Sequence, residues 1–152
     1  MFTIKLDDLS GPEIIALLEE HLNDMQATSP PESKHALDLN GLKAPNVKFW
    51  TIWENGNLAG CAAYKELNTT HAEIKSMRTA NNYKNKGVAS TLLKYLIKDA
   101  LLSGYKTLSL ETGSMPYFKP ARTLYQKLGF TFCPPFADYI NDPNSKFMTL
   151  NL

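Results

Sequence analysis

Residues 73–104 read EIKSMRTANNYKNKGVASTLLKYLIKDALLSG, and this stretch decides the fold. Its first part, Glu73–Thr79, is typical of a strand, and the polar run Asn81–Gly87 predicts a turn. Within Val88–Leu101 the apolar residues recur every three or four positions, which predicts a long amphipathic helix. Ser103–Gly104 supplies the left-handed stop expected at a helix C-terminus. The stretch therefore predicts a strand, a turn and a helix in that order.

The residues that follow this helix predict a second strand and the C-terminal elements. Lys106–Glu111 alternates between apolar and polar residues, so the strand–helix–strand unit predicts a right-handed crossover between two parallel strands. Ala121–Leu128 predicts another helix, which Gly129 ends. Phe130–Phe132 and Ser145–Leu150 predict the last two strands.

The N-terminal half predicts one helix and a set of antiparallel strands. Phe2–Leu6 alternates as a strand does, and Ser10–Glu13 has the pattern of a capping box that begins the first helix. Phe49–Trp53 and Leu58–Tyr64 are strand-like runs on either side of Asn55–Gly56, a pair typical of a tight hairpin turn.

Length and composition limit the class of protein. A chain of 152 residues with 43% hydrophobic content predicts a single domain, residues 1–152. A net charge of +1 without a basic cluster argues against a nucleic-acid partner. Cys61 and Cys133 lack the spacing of a zinc site, so we expect reduced, packed thiols and no metal. No signal segment or long apolar run is present, so we expect a cytoplasmic protein without a membrane partner.

The turn at Lys84–Ala89 has the features of an anion site. A strand that leads through a short turn into a long helix presents unpaired N–H groups and the positive end of the helix dipole. Gly87 lets the backbone approach a ligand closely, and Ala89 keeps the next amide accessible. Lys84 and Lys86 add positive charge, so the sequence predicts that this turn binds phosphate.

The turn by itself does not identify the ligand. A basic residue followed by x-x-Gly-x-Gly/Ala is common, and a turn with solvated lysines that merely caps a helix remains an alternative. ATP and NAD are disfavoured, because Gly87 is followed by Val88 rather than Lys-Ser/Thr and no Gly-x-Gly-x-x-Gly opens the helix.

Two separated motifs resemble the GCN5-related N-acetyltransferase (GNAT) superfamily. Residues 73–90 carry the first, and the superfamily signature Gln/Arg-x-x-Gly-x-Gly/Ala maps onto Lys84, Gly87 and Ala89, with Lys84 as a departure where Gln or Arg is usual. The second motif, Ala-x-x-x-Tyr-x-x-x-Gly-Phe, matches residues 121–130. Residues 35–38, 110–114 and 142–148 are further similar to a bacterial subgroup of acetyltransferases. The resemblance implies a mixed α/β (α+β) GNAT-like fold with a central, mostly antiparallel sheet of roughly six to seven strands, one parallel crossover and about four flanking helices.

The resemblance also implies acetyl-CoA as co-substrate, held between two splayed parallel strands. Met77 and Thr79 would pair their backbone with pantetheine. The pyrophosphate would then be held by the residues of the turn and the first helical turn, namely Lys84, Asn85, Lys86, Gly87, Val88, Ala89 and Ser90. One departure from the family is Phe118, which stands where many members have a cofactor-binding asparagine.

Direct transfer of an acetyl group to an amine needs a base and an acid. The resemblance implies Glu73 as the base, often acting through water, and Tyr125 as the acid beside the cofactor sulfur. Glu111, on the second parallel strand, is a reserve base, and the sequence leaves open which glutamate acts. A solvated strand carboxylate remains an alternative for each of them, as a core aromatic does for Tyr125.

The expected acceptor is a small-molecule or peptide amine. Residues 32–45 are polar, with a short helix that Asn40–Gly41 closes, and could cover the acceptor site. His35 in this segment is a candidate for acceptor binding, and Arg78 could contact an acceptor carboxylate through two hydrogen bonds.

Two other classes of function are alternatives to an enzyme. A non-catalytic coenzyme A sensor with a protein partner is consistent with the missing asparagine. A nucleic-acid-binding module would need clustered basic residues, which the chain lacks. The sequence leaves open whether the chain forms a homodimer.

Overall fold

The structure is a computed structural model that describes residues 1–28 and 39–152. Within these residues the chain forms seven strands and four helices. In chain order they are β1 (Thr3–Leu6), α1 (Pro12–Thr28), α2 (Leu39–Leu42), β2 (Val47–Glu54), β3 (Asn57–Asn68), β4 (His71–Thr79), α3 (Val88–Leu102), β5 (Thr107–Gly113), α4 (Lys119–Lys127), β6 (Thr131–Cys133) and β7 (Ser145–Asn151). Short 3₁₀ turns at Asn81–Tyr83 and Pro116–Phe118 precede α3 and α4.

All seven strands form one sheet in the order β1-β2-β3-β4-β5-β7-β6. Only β4 and β5 pair in parallel, and α3 provides the crossover between them. The predicted mixed α/β fold, with a mostly antiparallel sheet and one parallel crossover, is therefore confirmed. The limits of the long elements agree with the predictions to within a few residues, because their apolar spacing is local information.

The two faces of the sheet bury different helices. Ile74 of β4 and Leu110 of β5 belong to the apolar cluster that contains the buried side chains of α3 and Tyr125 of α4. On the other face, Cys61 and Ala63 of β3 pack with the buried leucines of α1. Because side chains alternate along a strand, neighbours of Ile74 and Leu110 point toward the face that α1 covers.

Local turn chemistry was partly predicted. Asn55 and Gly56 have positive φ angles of 50° and 80°, so the predicted hairpin turn is confirmed. The capping box was wrong, because the Ser10 hydroxyl donates to Asp8 and the Gly11 carbonyl accepts the first helical hydrogen bond, from Ile15.

Further expectations concern the short helix, the two cysteines and membrane-spanning segments. The short helix was predicted to close at Asn40–Gly41, yet both residues lie inside α2. The two cysteines are free thiols, Cys61 buried and Cys133 half-buried. Among the described residues, no helix has the length and apolar character needed to cross a membrane.

Candidate active site

The candidate site is a wedge between β4 and β5. The two strands pair only from His71–Thr107 to Ile74–Leu110. Beyond that point β4 stays paired with β3 up to Thr79, while β5 stays paired with β7 up to Gly113. The strands therefore separate, and a cavity of about 120 Å³ opens between them.

A β-bulge bends β4 at the mouth of the wedge. Cys61 of β3 pairs with Arg78 of β4, and Ala63 pairs with Lys75. A step of two residues along β3 therefore corresponds to three residues along β4. Ser76 has a positive φ of 54°, an uncommon conformation for a residue with a side chain. The extra residue leaves part of the strand outside the regular ladder and re-aims the backbone, as bulges next to active sites often do.

The predicted anion site has the required backbone geometry. Gly87 immediately precedes α3 with φ of 81°, and Asn85 also has a positive φ of 63°. A Cβ placed on Gly87 would meet no atom within 4 Å, so the space above the turn is open to a ligand. The first amides of α3, beginning with Val88, lack acceptors within the helix and point toward this space.

A groove of about 440 Å³ leads from this turn to the wedge. Its lining includes Lys84, Asn85 and Ala89 at one end and Met77 and Tyr125 at the other. The groove thus brings the predicted pyrophosphate turn and the predicted acid into one continuous surface.

The second lysine of the turn lies elsewhere. The Lys86 ammonium is 5.6 Å from the centre of the Tyr83 ring and lines a separate cleft. In this arrangement the Lys86 side chain is directed to a different cleft from the one that Lys84 and Asn85 line.

Tyr125 of α4 lies where the groove meets the wedge. Its side chain is buried, and its hydroxyl is 3.7 Å from the Met77 sulfur. Burial, reinforced by the negative charge of Glu111, raises the pKa of Tyr125 to about 12. The phenol is therefore protonated at neutral pH and can donate a proton or a hydrogen bond.

Phe118 and Arg122 shape the C-terminal end of β5. The Phe118 ring lies against Gly113 so closely that a Cβ at this glycine would be 2.1 Å from a ring carbon. Arg122 donates to the carbonyls of Gly113 and Met115, at 2.6 and 3.1 Å. Packing by Phe118 and hydrogen bonds from Arg122 therefore shape this side of the wedge.

Glu73 belongs to a hydrogen-bonded cluster with Tyr139 and Lys75. The Tyr139 hydroxyl donates to Glu73 Oε2 at 2.5 Å, and the Lys75 ammonium is 3.4 Å from the same oxygen. Lys75 also donates to the Tyr139 hydroxyl at 2.9 Å. Burial and the charge of Glu73 raise the pKa of Tyr139, so its hydroxyl keeps its proton. One oxygen of Glu73 is therefore engaged by both neighbours.

Tyr139 is held by an aromatic cluster at the start of the β6–β7 connection. Its ring centre is 5.2 Å from that of Phe136 and 5.3 Å from that of Phe147. The ring centre of His71 is 5.7 Å from that of Phe136, and His71 Nε2 is 2.7 Å from the Ser109 hydroxyl oxygen. The connection is thus packed onto the face of the sheet that carries Glu73.

Glu111 lines the same cavity from the β5 side. Burial raises its pKa to about 7, while the Ser145 hydroxyl and the Lys75 ammonium act in the opposite direction. The charges of Glu73 and Asp142 reinforce the rise. A carboxyl group with a pKa near neutrality can accept a proton and release it again, as a general base must.

Two residues of the α1 side complete the surroundings. Arg78 is buried, its guanidinium forms ion pairs with Glu20 and Asp24 of α1, and the Asp24 contact measures 2.6 Å. The guanidinium predicted to meet an acceptor carboxylate is thus occupied by carboxylates of the chain itself. His21, one residue beyond Glu20, lines both the wedge cavity and the groove.

The structure brings together most of the residues predicted from the sequence. Glu73, Glu111 and Tyr125 share one cavity, which Met77 joins to the turn residues. His35 lies outside the described residues. Sequence reasoning missed Tyr139, which reaches the site only through long-range folding.

Two other omissions had a signal in the sequence. Lys75 stands two residues from Glu73 and therefore shares its face of β4. His21 lies on the apolar stripe of α1, seven residues after Ile14, where a polar side chain is unusual.

Comparisons with known proteins identify the family of the chain. The sequence profile of the Acetyltransferase (GNAT) family matches residues 14–130. The chain is 55% identical to the uncharacterized N-acetyltransferase YsnE of Bacillus subtilis, over 98% of this chain and 99% of that protein. It is 32% identical to a protein of Azospirillum brasilense named IAA acetyltransferase, over 90% of this chain and 86% of that protein. The chain therefore belongs to the GNAT family and is an N-acetyltransferase.

Solved structures share the fold. One from Klebsiella pneumoniae, assigned as an acyl-CoA N-acyltransferase, has a TM-score of 0.84 at 29% identity and covers 100% of this chain and 98% of that chain. A GNAT family acetyltransferase from Elizabethkingia anophelis, solved with acetyl-CoA bound, has a TM-score of 0.70 at 22% identity, with 99% of this chain and 98% of that chain covered.

Proposed function

We propose that the enzyme transfers an acetyl group from acetyl-CoA directly to an amine within the wedge. The observation that carries this proposal is that a protonated Tyr125 and a Glu111 carboxyl with a pKa of about 7 line one cavity between the separated strands. An acid and a base on either side of a thioester are what aminolysis requires.

The chain offers a fitting site for acetyl-CoA. The open space above Gly87, the amides at the start of α3 and the exposed Lys84 suit a pyrophosphate. The edge of β4 at Met77 and Thr79 has left its β5 partner and can pair with an extended pantetheine chain. Acetyl-CoA would supply the activated acetyl group, and the groove would place it with its sulfur toward Tyr125.

The proposed chemistry is a single transfer within a ternary complex. The amine loses a proton to Glu111 and forms the new C–N bond while the C–S bond breaks. Tyr125 gives its proton to the departing sulfur and regains one by way of solvent, so that the products are an amide and free coenzyme A. Holding both reactants in one cavity reduces the entropic cost of bringing them together.

We assign the base to Glu111 and a positioning role to Glu73. The Glu73 oxygen that faces Tyr139 and Lys75 is engaged by both, and the resulting ion pair favours a fixed carboxylate. Glu111 has the pKa near neutrality that a base needs. The acceptor amine would then approach from the face of the sheet that α1 and Tyr139 flank, opposite α3 and α4.

The test is amine-dependent release of free coenzyme A. Purified enzyme is incubated with acetyl-CoA and a panel of amino acid amides, small aliphatic amines and short peptides, and free thiol is measured. We expect release above the amine-free rate for at least one acceptor class. Binding of acetyl-CoA without any amine-dependent release would overturn the proposal and favour the coenzyme A sensor.

A further inference from the structure

His21 occupies a junction that the proposed chemistry does not use. It lies on α1 and lines both the wedge cavity, with Glu73, Glu111 and Tyr139, and the groove that leads to the turn. α1 packs on the face of the sheet toward which Glu73 and Glu111 project. His21 and Tyr139 therefore flank the carboxylates from two different elements.

The imidazole of His21 has no hydrogen-bond partner among the residues that the structure describes. Two residues that line the same spaces are held by other parts of the chain, since Arg78 pairs with Glu20 and Asp24, and Tyr139 bonds to Glu73. A polar ring in a largely enclosed position loses free energy unless a ligand or water completes its hydrogen bonds. The ring is thus available to whatever occupies the cavity.

The same surroundings keep the ring uncharged. Burial and the positive charge of Arg78 lower the pKa of His21 to about 4, and Asp24 only partly opposes them. A neutral imidazole carries one N–H donor and one nitrogen acceptor. It can therefore donate to an oxygen atom of a ligand without adding a positive charge to the cavity.

We propose that His21 is a substrate-contacting residue that donates a hydrogen bond to a carbonyl, carboxylate or hydroxyl oxygen of the acceptor while the acceptor's amine lies at Glu111. This proposal rests on the transfer reaction proposed above. It names the acceptor class as primary amines with an oxygen-bearing group a few atoms from the nitrogen, such as amino acid derivatives and peptide N-termini.

The size of the cavity agrees with this class. A volume of about 120 Å³ is somewhat below the roughly 150 Å³ of an apolar cavity that accepts benzene, so it holds the reacting end of a molecule rather than a bulky one. Within so small a space, an oxygen a few atoms from the amine is within reach of a residue lining the same cavity.

The test compares two variants on matched acceptors. His21→Phe removes both nitrogens while keeping a flat ring, and His21→Asn keeps an N–H donor. Each is assayed with an amino acid amide and with the amine that lacks only the carboxamide. We expect His21→Phe to lower the kcat/KM preference for the amide by about two- to tenfold, the range for one hydrogen bond, and His21→Asn to restore most of it.

The control is the affinity for acetyl-CoA, measured by calorimetry, which should be the same in both variants as in the parent enzyme. An equal loss on both members of the acceptor pair would overturn the proposal, as would weakened acetyl-CoA binding or an Asn variant no better than the Phe variant.

A second measurement does not depend on turnover. Enzyme with isotope-labelled histidine is saturated with coenzyme A, and an amino acid amide is added while imidazole NMR signals are followed. The His21 signals, identified by their absence in His21→Phe, should shift. A shift without turnover supports the contact and refutes the transfer, turnover without a shift refutes the contact, and neither effect refutes both.

Discussion

The assignment of Glu111 as the base predicts how the rate depends on pH. If the base must be ionised, kcat/KM expressed per uncharged amine follows the ionised fraction of Glu111, whose pKa burial raises to about 7. That fraction is about one tenth at pH 6 and about nine tenths at pH 8, so the rate should rise roughly tenfold across this interval. Glu111→Gln should abolish the rise and lower the rate by about 10² or more.

The assay measures coenzyme A release by chromatography, with acetyl-CoA saturating and one active amine at low concentration. Glu66→Gln is the matched control, because Glu66 is an exposed carboxylate that accepts a hydrogen bond from Tyr105 and lies outside the cavity. This control should keep the profile of the unaltered enzyme. A flat profile between pH 6 and 8, or a rise that survives in Glu111→Gln, would refute the reasoning.

Three further predictions concern single residues. Gly87→Val should weaken acetyl-CoA binding about tenfold by calorimetry, since a side chain would cover the turn amides. The control is Gly104→Val, which has a similar φ of 95° and should lose a similar amount of stability, about 1–2 kcal/mol, without a change in affinity. Equal acetyl-CoA affinities in the two variants would contradict this prediction. Tyr125→Phe should lower kcat by about 10² or more with acetyl-CoA affinity unchanged, and full activity would remove its role as acid. The raised pKa of Glu111 means that the folded state retains a proton that the unfolded state loses, so stability should decline as pH rises from about 4.5 to about 7. Urea unfolding should accordingly show Glu111→Gln more stable than the parent at pH 8 by about 1–3 kcal/mol and nearly equal at pH 4, and the reverse order would contradict the shift.

The sequence predicted the crossover because its signals are local. The stripe in Val88–Leu102 and the stop at Gly104 depend only on neighbouring residues, and both appear in the structure. Glycine also tolerates the positive φ that Gly87 adopts. The backbone of the predicted phosphate-binding turn could therefore be anticipated from the sequence.

The carboxylate side of the site could be predicted only in part. Glu73 and Glu111 were candidates, but the pKa of Glu111 near neutrality is caused chiefly by burial, which depends on the folded structure. Tyr139 comes from a connection without regular structure, and its contact with Glu73 spans 66 residues of sequence. A pattern among neighbouring residues cannot predict a contact between residues so far apart in the sequence.

The ion pairs of Arg78 could not be predicted from the sequence for a different reason. An arginine next to a cofactor strand suggests a ligand contact, yet its partners, Glu20 and Asp24, lie on α1. Their spacing of four residues places both on one helix face, but which strand residue meets that face depends on the packing of the helix against the sheet. The register of β4, shifted by the bulge at Ser76, sets that meeting point.

The central claim is direct transfer of an acetyl group to an amine in the wedge. The most direct measurement uses acetyl-CoA with a deuterated acetyl group and follows both products by mass spectrometry. The account predicts one labelled amide for each coenzyme A released, no label on the protein, and loss of both products in Glu111→Gln. Coenzyme A release without a labelled amide, or label retained on the protein as an intermediate, would contradict it.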